Sequence, residues 1–206
     1  MIPSCSITRH DRRPRTARKQ RWNVVGYVIV PGIGGSDDAH WQTLWERQWG
    51  SETAIRIEPG SWSQPDLQDW VEAIARAAEV IESRDRDVVL IAHSLGCWAT
   101  SEWLQQTNSR YPRGALLVAP PDPTSEAFPV DAAPTFVNVA ARPLTCPSVV
   151  VASTNDPYCD LRVAEEFASS WGSDLKVAGE LGHLNSASGV REWTTARELL
   201  DRVASR

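Results

Sequence analysis

Residues 88–99 read VVLIAHSLGCWA, and this stretch decides the fold. An unbroken and largely β-branched apolar run leads into His93 and Ser94, which is typical of a strand buried on both faces. The residues after Ser94 can open a helix. A serine at the sharp turn between strand and helix needs small residues two positions before and two after it, here Ala92 and Gly96. The pattern indicates a nucleophile elbow with alanine in place of the usual first glycine. Taken alone, it also fits an ordinary turn.

Similar apolar runs recur along the chain and predict further strands. They cover residues 24–30, 115–119 and 148–152, with weaker candidates at 54–57 and 175–178. Between them, apolar residues at helical spacing predict amphipathic helices over 67–81, 161–171 and 193–203. Residues 63–66 (SQPD) supply the start signal of the first helix, and Asp160 stands at the N-cap position of the second. Strands that alternate with helices predict the α/β class, with a mostly parallel, twisted sheet of about 5–6 strands and helices on both faces.

The composition is that of an ordinary folded protein. The chain has 206 residues, of which 42% are hydrophobic and 23% charged, and its mean hydropathy is −0.33. These values exclude a disordered, collagen-like or coiled-coil chain, and no apolar run reaches the roughly 18 residues that a membrane-spanning helix needs. Four widely spaced cysteines, Cys5, Cys97, Cys146 and Cys159, argue against a zinc site or a disulfide scaffold. We expect free thiols in the reducing cytoplasm.

Basic residues are concentrated near the N-terminus. Seven lie between Arg9 and Arg21 against one acid, Asp11, while the whole chain carries −5, so the remainder is acidic. An acidic body disfavours non-specific binding of nucleic acid. Residues 1–22 lack apolar periodicity and predict a disordered basic tail, followed by a single domain over 23–206. The alternatives for the tail are a targeting segment, an arm that binds polyanions, or a start assigned too far upstream.

A serine hydroxyl becomes an effective nucleophile only when a base removes its proton and a third group orients that base. Of the four histidines, His10 lies in the tail, His93 adjoins Ser94, and His40 starts a helix. His183 lies between the last predicted strand and the last predicted helix. It is therefore the candidate base.

Asp156 is the candidate acid because it comes directly after the strand over 148–152. Ligands bind at the carboxyl ends of the strands in such sheets, so this position lies at the expected site. Asp122, which follows the preceding strand, is the reserve. The order Ser94, Asp156, His183 is the order expected on an α/β-hydrolase sheet and differs from the orders of other serine-hydrolase folds.

An acyl-transfer site also needs amides that stabilise a developing oxyanion. The amide of Leu95, the residue after the nucleophile, is one expected donor. The glycine-rich loop over 31–36 should supply the other, from Ile33 or alternatively from Gly34. This loop lacks the lysine of a P-loop and the glycine spacing of a dinucleotide-binding loop. We predict no cofactor and no metal.

Together these residues resemble a known family, the small serine hydrolases related to retinoblastoma-binding protein 9, within the α/β-hydrolase superfamily. The resemblance covers residues 24–205 and rests on these motifs: PGIGGS (31–36), HW (40–41), WSQPDLQDW (62–70), HSLG (93–96), APPD (119–122), NDP (155–157) and GHLN (182–185). It implies the same Ser94, Asp156 and His183 triad and a minimal α/β-hydrolase fold without a large lid domain. It also implies hydrolysis of carboxylic esters or amides.

The retinoblastoma-binding motif of the namesake, Leu-x-Cys-x-Glu, is absent. The nearest segments, at 95–99 and 144–148, lack the glutamate, so a retinoblastoma-type partner is not supported.

Candidate pocket residues come from the aromatic-rich loops. The chain has ten tryptophans, and most aromatic residues at helical spacing belong to a core. His40, Trp41 and Trp62 lie near the predicted site and are the residues that we expect to line a substrate pocket.

The sequence predicts a serine hydrolase that cleaves small carboxylic esters, or amides or thioesters, through a Ser-His-Asp triad and an acyl-enzyme. The alternative is a weakly active or inactive binding protein that keeps the same fold. The predicted partner is a small-molecule substrate, with neither nucleic acid nor membrane. The oligomeric state is left open.

Overall fold

The computed structural model describes residues 24–107 and 112–205. In these segments six strands form one sheet: β1 (Val25–Val30), β2 (Ala54–Arg56), β3 (Asp87–His93), β4 (Pro112–Val118), β5 (Ser148–Ala152) and β6 (Asp174–Val177). All neighbouring strands are parallel, in the order β2-β1-β3-β4-β5-β6. The predicted α/β class is confirmed. The predicted tail over 1–22, with Cys5 and His10, lies outside the described residues.

The described segments contain five α-helices: α1 (Trp41–Trp49), α2 (Leu67–Ser83), α3 (Leu95–Gln106), α4 (Leu161–Trp171) and α5 (Thr194–Ala204). The first four connect strands, and α5 follows β6. Within the predicted start signal over 63–66, Asp66 is the residue that caps α2, because its side chain accepts from the Asp69 amide at 3.0 Å. Asp160 occupies the N-cap position of α4 but makes no side-chain capping bond. None of these helices is long and apolar enough to cross a membrane.

The apolar core is divided between the two faces of the sheet. Val28 and Val30 of β1 point to the face that α2, α3 and α4 cover. Tyr27 and Ile29 point to the opposite face, which α1 and α5 cover. Successive strand residues point to opposite faces, so a strand without polar residues requires a sheet that is covered on both sides.

The order of the strands determines where a ligand can bind. From β1 the chain moves to the β2 edge, returns through α2 to β3, and then continues to the β6 edge. The loops that leave the carboxyl ends of β1 and β3 therefore diverge to opposite faces and leave a crevice between them. Gly32 follows β1 and Ser94 follows β3, so the predicted oxyanion loop and the predicted nucleophile both border this crevice.

Residues 119–147 form a short cover beside the crevice in place of a large lid domain. They contain one 3-10 turn, Pro134–Phe136, and otherwise irregular backbone. Phe128 and Phe136 are buried in the core on the α2 and α3 face. The Thr135 hydroxyl oxygen accepts from the Leu67 amide at 2.9 Å, which ties the cover to the start of α2.

The turn at Ser94 packs directly against the end of β1. Ser94 has a φ of 55°, in a region that costs a residue with a side chain about 1–3 kcal/mol. A Cβ atom at Gly96 would lie 2.4 Å from the carbonyl oxygen of Val30 and 2.5 Å from that of Pro31. A Cβ atom at Gly32 would lie 2.6 Å from Cβ of Ser94. Glycine at these two positions is therefore a steric requirement of the turn.

Gly96→Ala is expected to lower the free energy of unfolding by about 3 kcal/mol, because the added methyl group overlaps backbone atoms that cannot rotate away. Gly60→Ala is the control, since its Cβ would meet only the surface carboxylate of Asp69, at 3.4 Å. Urea unfolding followed by tryptophan fluorescence measures both variants. Equal stability of the two would contradict the packing described for the turn.

Candidate active site

Three side chains from three loops form a continuous hydrogen-bonded line at the carboxyl edge of the sheet. The Ser94 hydroxyl donates to Nε2 of His183 at 2.9 Å, and Nδ1 of His183 donates to the carboxylate oxygens of Asp156 at 2.9 and 3.0 Å. Since a carboxylate only accepts, Nδ1 carries the proton and Nε2 is left to accept from the hydroxyl. The imidazole and the carboxylate expose only 10% and 3% of their side-chain surface. In this arrangement an imidazole can take the proton of a serine.

Asp156 is oriented by its own loop. The Tyr158 amide donates to Oδ1 of Asp156 at 3.0 Å, and the Tyr158 ring packs edge-on against His183 with 4.6 Å between ring centroids. This contact was not predicted, although an aspartate that accepts from an amide two residues later is a common turn pattern. The reserve acid, Asp122, instead accepts from the amide and hydroxyl of Thr124 within its own turn, both at 2.8 Å.

The loop that carries His183 has an unfavourable backbone conformation, and side chains from elsewhere in the fold form hydrogen bonds with it. Leu184 has a φ of 52°, in the left-handed region that residues with a branched side chain rarely adopt. The Ser153 hydroxyl oxygen accepts from the Leu181 amide at 3.0 Å, and the Asn155 side-chain oxygen accepts from the Gly182 amide at 2.7 Å. These bonds attach the loop to the end of β5, the strand that also precedes Asp156.

Two further side chains hold consecutive carbonyl groups of the same loop. Nε2 of His93 donates to the carbonyl oxygen of His183 at 2.9 Å, and the Trp41 indole donates to that of Leu184 at 2.9 Å. His93 adjoins Ser94, so the first bond joins the loop of the imidazole to the strand of the serine. Burial lowers the pKa of His93 well below its ordinary value, which keeps this ring neutral.

The hydrogen bonds of the glycine-rich loop after β1 distinguish Ile33 from Gly34 as the second oxyanion donor. The Gly34 amide donates to the carbonyl oxygen of Trp62 at 2.8 Å. The amides of Ile33 and Leu95 have no acceptor within residues 24–107 and 112–205. Both residues line the cavity beside Ser94, so their amides are free to meet an anionic oxygen there.

A cavity of about 410 Å³ opens at the hydrogen-bonded line. Ser94 and His183 lie on its wall, and the loops around them contribute further lining, chiefly through Asp37, His40, Pro121, Pro129, Tyr158 and Ser186. The two prolines belong to the cover over 119–147. A cleft in which several polar side chains converge beside the hydrogen-bonded line is a candidate binding site.

Trp41 and Trp62 do not line this cavity, which differs from the prediction made for them. Trp41 is fully buried and packs edge-on against Trp45, with 4.8 Å between ring centroids. The Trp62 ring packs against Trp70 at 5.5 Å and lies under Gly35. Both tryptophans therefore support the walls of the cavity from behind.

The three cysteines of the described segments are free and buried. Burial raises the pKa of Cys146 and of Cys159 to about 12, so neither is a thiolate at neutral pH. The described residues also hold no cluster of three or more histidine, cysteine, aspartate or glutamate side chains placed to bind a metal ion.

The profile of the serine hydrolase family matches residues 27–202. The chain belongs to the serine hydrolase family. No curated protein matches this hydrolase significantly. Among solved structures, a YdeN-like hydrolase from Pectobacterium atrosepticum is 35% identical, with a TM-score of 0.73 over 87% of this chain and 91% of that one. The predicted membership among small serine hydrolases of the α/β-hydrolase superfamily is confirmed.

Two further solved structures share the fold of this serine hydrolase. The YdeN product of Bacillus subtilis is 19% identical, with a TM-score of 0.66 over 89% of this chain and 100% of that one. Est1E from Butyrivibrio proteoclasticus, solved with ferulic acid bound, is 11% identical, with a TM-score of 0.62 over 89% of this chain and 88% of that one. At these identities the likeness concerns the fold alone.

Trp41→Phe removes the indole N–H that holds the Leu184 carbonyl group, and we expect kcat of the hydrolase to fall about tenfold or more as His183 moves out of line. Trp45→Phe is the matched control, because it removes an equivalent bond to the Glu192 carbonyl oxygen, at 2.7 Å. Both variants should lose about 1 kcal/mol of stability. Hydrolysis of p-nitrophenyl acetate and urea unfolding measure the two effects. Equal losses of kcat in the two variants would contradict a positioning role for Trp41.

Proposed function

We propose that this serine hydrolase cleaves small carboxylic esters through an acyl-enzyme formed on Ser94, with Asp156 and His183 as the other members of the triad. One observation carries the proposal: the Ser94 hydroxyl lies 2.9 Å from an imidazole that is itself held by a buried carboxylate, on the wall of a cavity. An isolated serine is a weak nucleophile, and this is the arrangement that activates it.

Acylation begins when Oγ of Ser94 attacks the carbonyl carbon of the ester and Nε2 of His183 takes the hydroxyl proton. Asp156 keeps the proton of the neutral ring on Nδ1 and stabilises the imidazolium that forms. The tetrahedral intermediate then collapses, the bond to the alcohol oxygen breaks, and the proton on Nε2 passes to the departing alcohol. The serine is left as an ester of the substrate acid.

The negative charge that develops on the carbonyl oxygen is bound by the amides of Leu95 and Ile33. Both amides are free of other acceptors in the described segments, and Leu95 begins α3, where the helix dipole favours an anion. A single donor of this kind typically contributes about 10²–10³ in kcat. The Gly34 amide is assigned no part because the Trp62 carbonyl oxygen occupies it.

Deacylation repeats these steps with water in place of serine. Nε2 of His183 removes a proton from a water molecule, whose oxygen attacks the acyl carbon, and the same proton returns to Oγ of Ser94 as the acid is released. Esters are the proposed class because an alcohol departs more readily than an amine. Amides and thioesters are the next substrates to compare.

The proposal extends to the domain, the cellular compartment and the binding partner. We propose that residues 23–206 act as one domain, that the protein works in the cytoplasm, and that its partner is a small molecule. The cavity of about 410 Å³ and the short cover over 119–147 suit a small acyl group.

Three substitutions test the proposed triad by the hydrolysis of p-nitrophenyl butyrate. We expect Ser94→Ala to abolish turnover, because it removes the nucleophile. His183→Ala removes the base and should lower kcat by orders of magnitude, and Asp156→Asn should lower it about 10⁴-fold, as in a serine protease, by favouring the wrong tautomer. Asp122→Asn is the matched control, since its side chain bonds only within its own turn, and should stay within a few-fold of wild type. Loss of activity in Asp122→Asn with retention in Asp156→Asn would reverse the assignment of the acid.

A further inference from the structure

The two sides of the cavity differ in polarity. Ser94 follows β3, which lies between β1 and β4 in the sheet. The loops after β4 and β5 therefore lie on one side of Ser94, and they contribute the rings of Pro121 and Tyr158. The loop after β1 lies on the other side and contributes Asp37 and His40, both polar. A substrate that fills the cavity therefore meets mainly ring surfaces at one end, with the Tyr158 hydroxyl as a polar group, and at the other end the side chains of Asp37 and His40 beside the apolar Ile33.

His40 is the buried member of the polar side. Its side chain caps α1, because Nδ1 accepts from the Gln42 amide at 3.2 Å. An amide can only donate, so Nδ1 carries no proton and the neutral ring must carry its proton on Nε2. Burial lowers the pKa of His40 to about 4, which keeps the ring neutral at physiological pH. The capping bond thus determines the tautomer that His40 offers to the cavity.

The Nε2–H group of His40 has no acceptor within the described residues, although the residue is only 4% exposed. The neighbouring carboxylate already has hydrogen-bond partners, since Oδ1 of Asp37 accepts from the Ser186 hydroxyl at 2.6 Å and from the Ala39 amide at 2.8 Å. Since His40 lines the cavity, Nε2–H is reached from the cavity, and an acceptor on a bound ligand would take the place of water there.

His40 is separated from the proposed base. Its ring centroid lies 4.8 Å from that of His93, which in turn lies 5.0 Å from that of His183. His93 already uses Nε2 to hold the His183 carbonyl group. Because one ring stands between them, His40 is placed to contact a substrate and not to take part in proton transfer.

We propose that His40 is a specificity-determining residue, whose Nε2–H donates a hydrogen bond to a neutral oxygen on the substrate, such as a hydroxyl or ether oxygen. The inference rests on the proposed function and names the substrate class within it: small esters with an apolar part on the Pro121 side and an oxygen-bearing part on the His40 side. A hydrocarbon ester of the same size would leave the donor unpaired and should be a poorer substrate by about tenfold in kcat/KM.

Two pairs of esters, each matched in size, test the proposal. One pair differs in the alcohol, 2-hydroxyethyl butyrate against propyl butyrate. The other differs in the acyl group, p-nitrophenyl methoxyacetate against p-nitrophenyl butyrate. The measured quantity is the ratio of kcat/KM within each pair, compared between the wild type and variants of His40, so that intrinsic reactivity and general losses of activity cancel. The pair that responds shows which part of the ester carries the oxygen.

Two variants separate the two nitrogens of His40. His40→Asn keeps an acceptor near the position of Nδ1, and so keeps the cap of α1, but removes the donor. His40→Gln places an amide N–H near the position of Nε2 but weakens the cap. We expect the ratio for one pair to fall about tenfold in His40→Asn and to be largely kept in His40→Gln. Urea unfolding should show the reverse order, with His40→Gln the less stable.

Three outcomes would overturn the inference. Unchanged ratios in His40→Asn for both pairs would show that Nε2 makes no contact with substrate. Equal loss in His40→Asn and His40→Gln would show that the ring acts through packing and not as a donor. If the wild-type protein cleaved none of the four esters, the proposed function would fail, and this inference with it.

Discussion

The contact between the Ser94 turn and the end of β1 is the constraint on which the rest of the structure depends. Gly96 allows close approach to the backbone carbonyl groups of Val30 and Pro31, and Gly32 allows close approach to the Ser94 side chain, at separations that no Cβ atom could tolerate. The contact places Ser94, which follows β3, beside the loop after β1 that contains the Ile33 amide. This is the point where the strand order reverses. An unfavourable φ at Ser94 is maintained because the surrounding strands and α3 are almost completely buried.

Long-range hydrogen bonds bring the imidazole to this turn. The loop of His183 is tied to β5 through Ser153 and Asn155, to β3 through His93, and to α1 through Trp41. His93 ends β3, Trp41 begins α1, and Ser153 and Asn155 follow directly after β5. The geometry of the site is therefore set by the sheet and its helices, although the imidazole itself lies in a loop.

Patterns that are local in the sequence predicted most of the fold. Buried strands such as β3 and β5 are short apolar runs, and the order of Ser94, Asp156 and His183 along the chain is visible without a structure. The sequence did not show which of the neighbours His40 and Trp41 faces the cavity, because successive residues at a helix start point about 100° apart. His40 faces the cavity while Trp41 faces the core. Contacts made across the fold, such as that of the Trp62 carbonyl with Gly34, have no local signal.

The central claim is that Ser94 is an activated nucleophile. Intact-protein mass spectrometry after incubation with a fluorophosphonate probe tests it directly. We expect a single adduct on the wild type, no adduct on Ser94→Ala, and strongly slowed labelling of His183→Ala. No adduct on the folded wild type, or an undiminished adduct on folded Ser94→Ala, would contradict it.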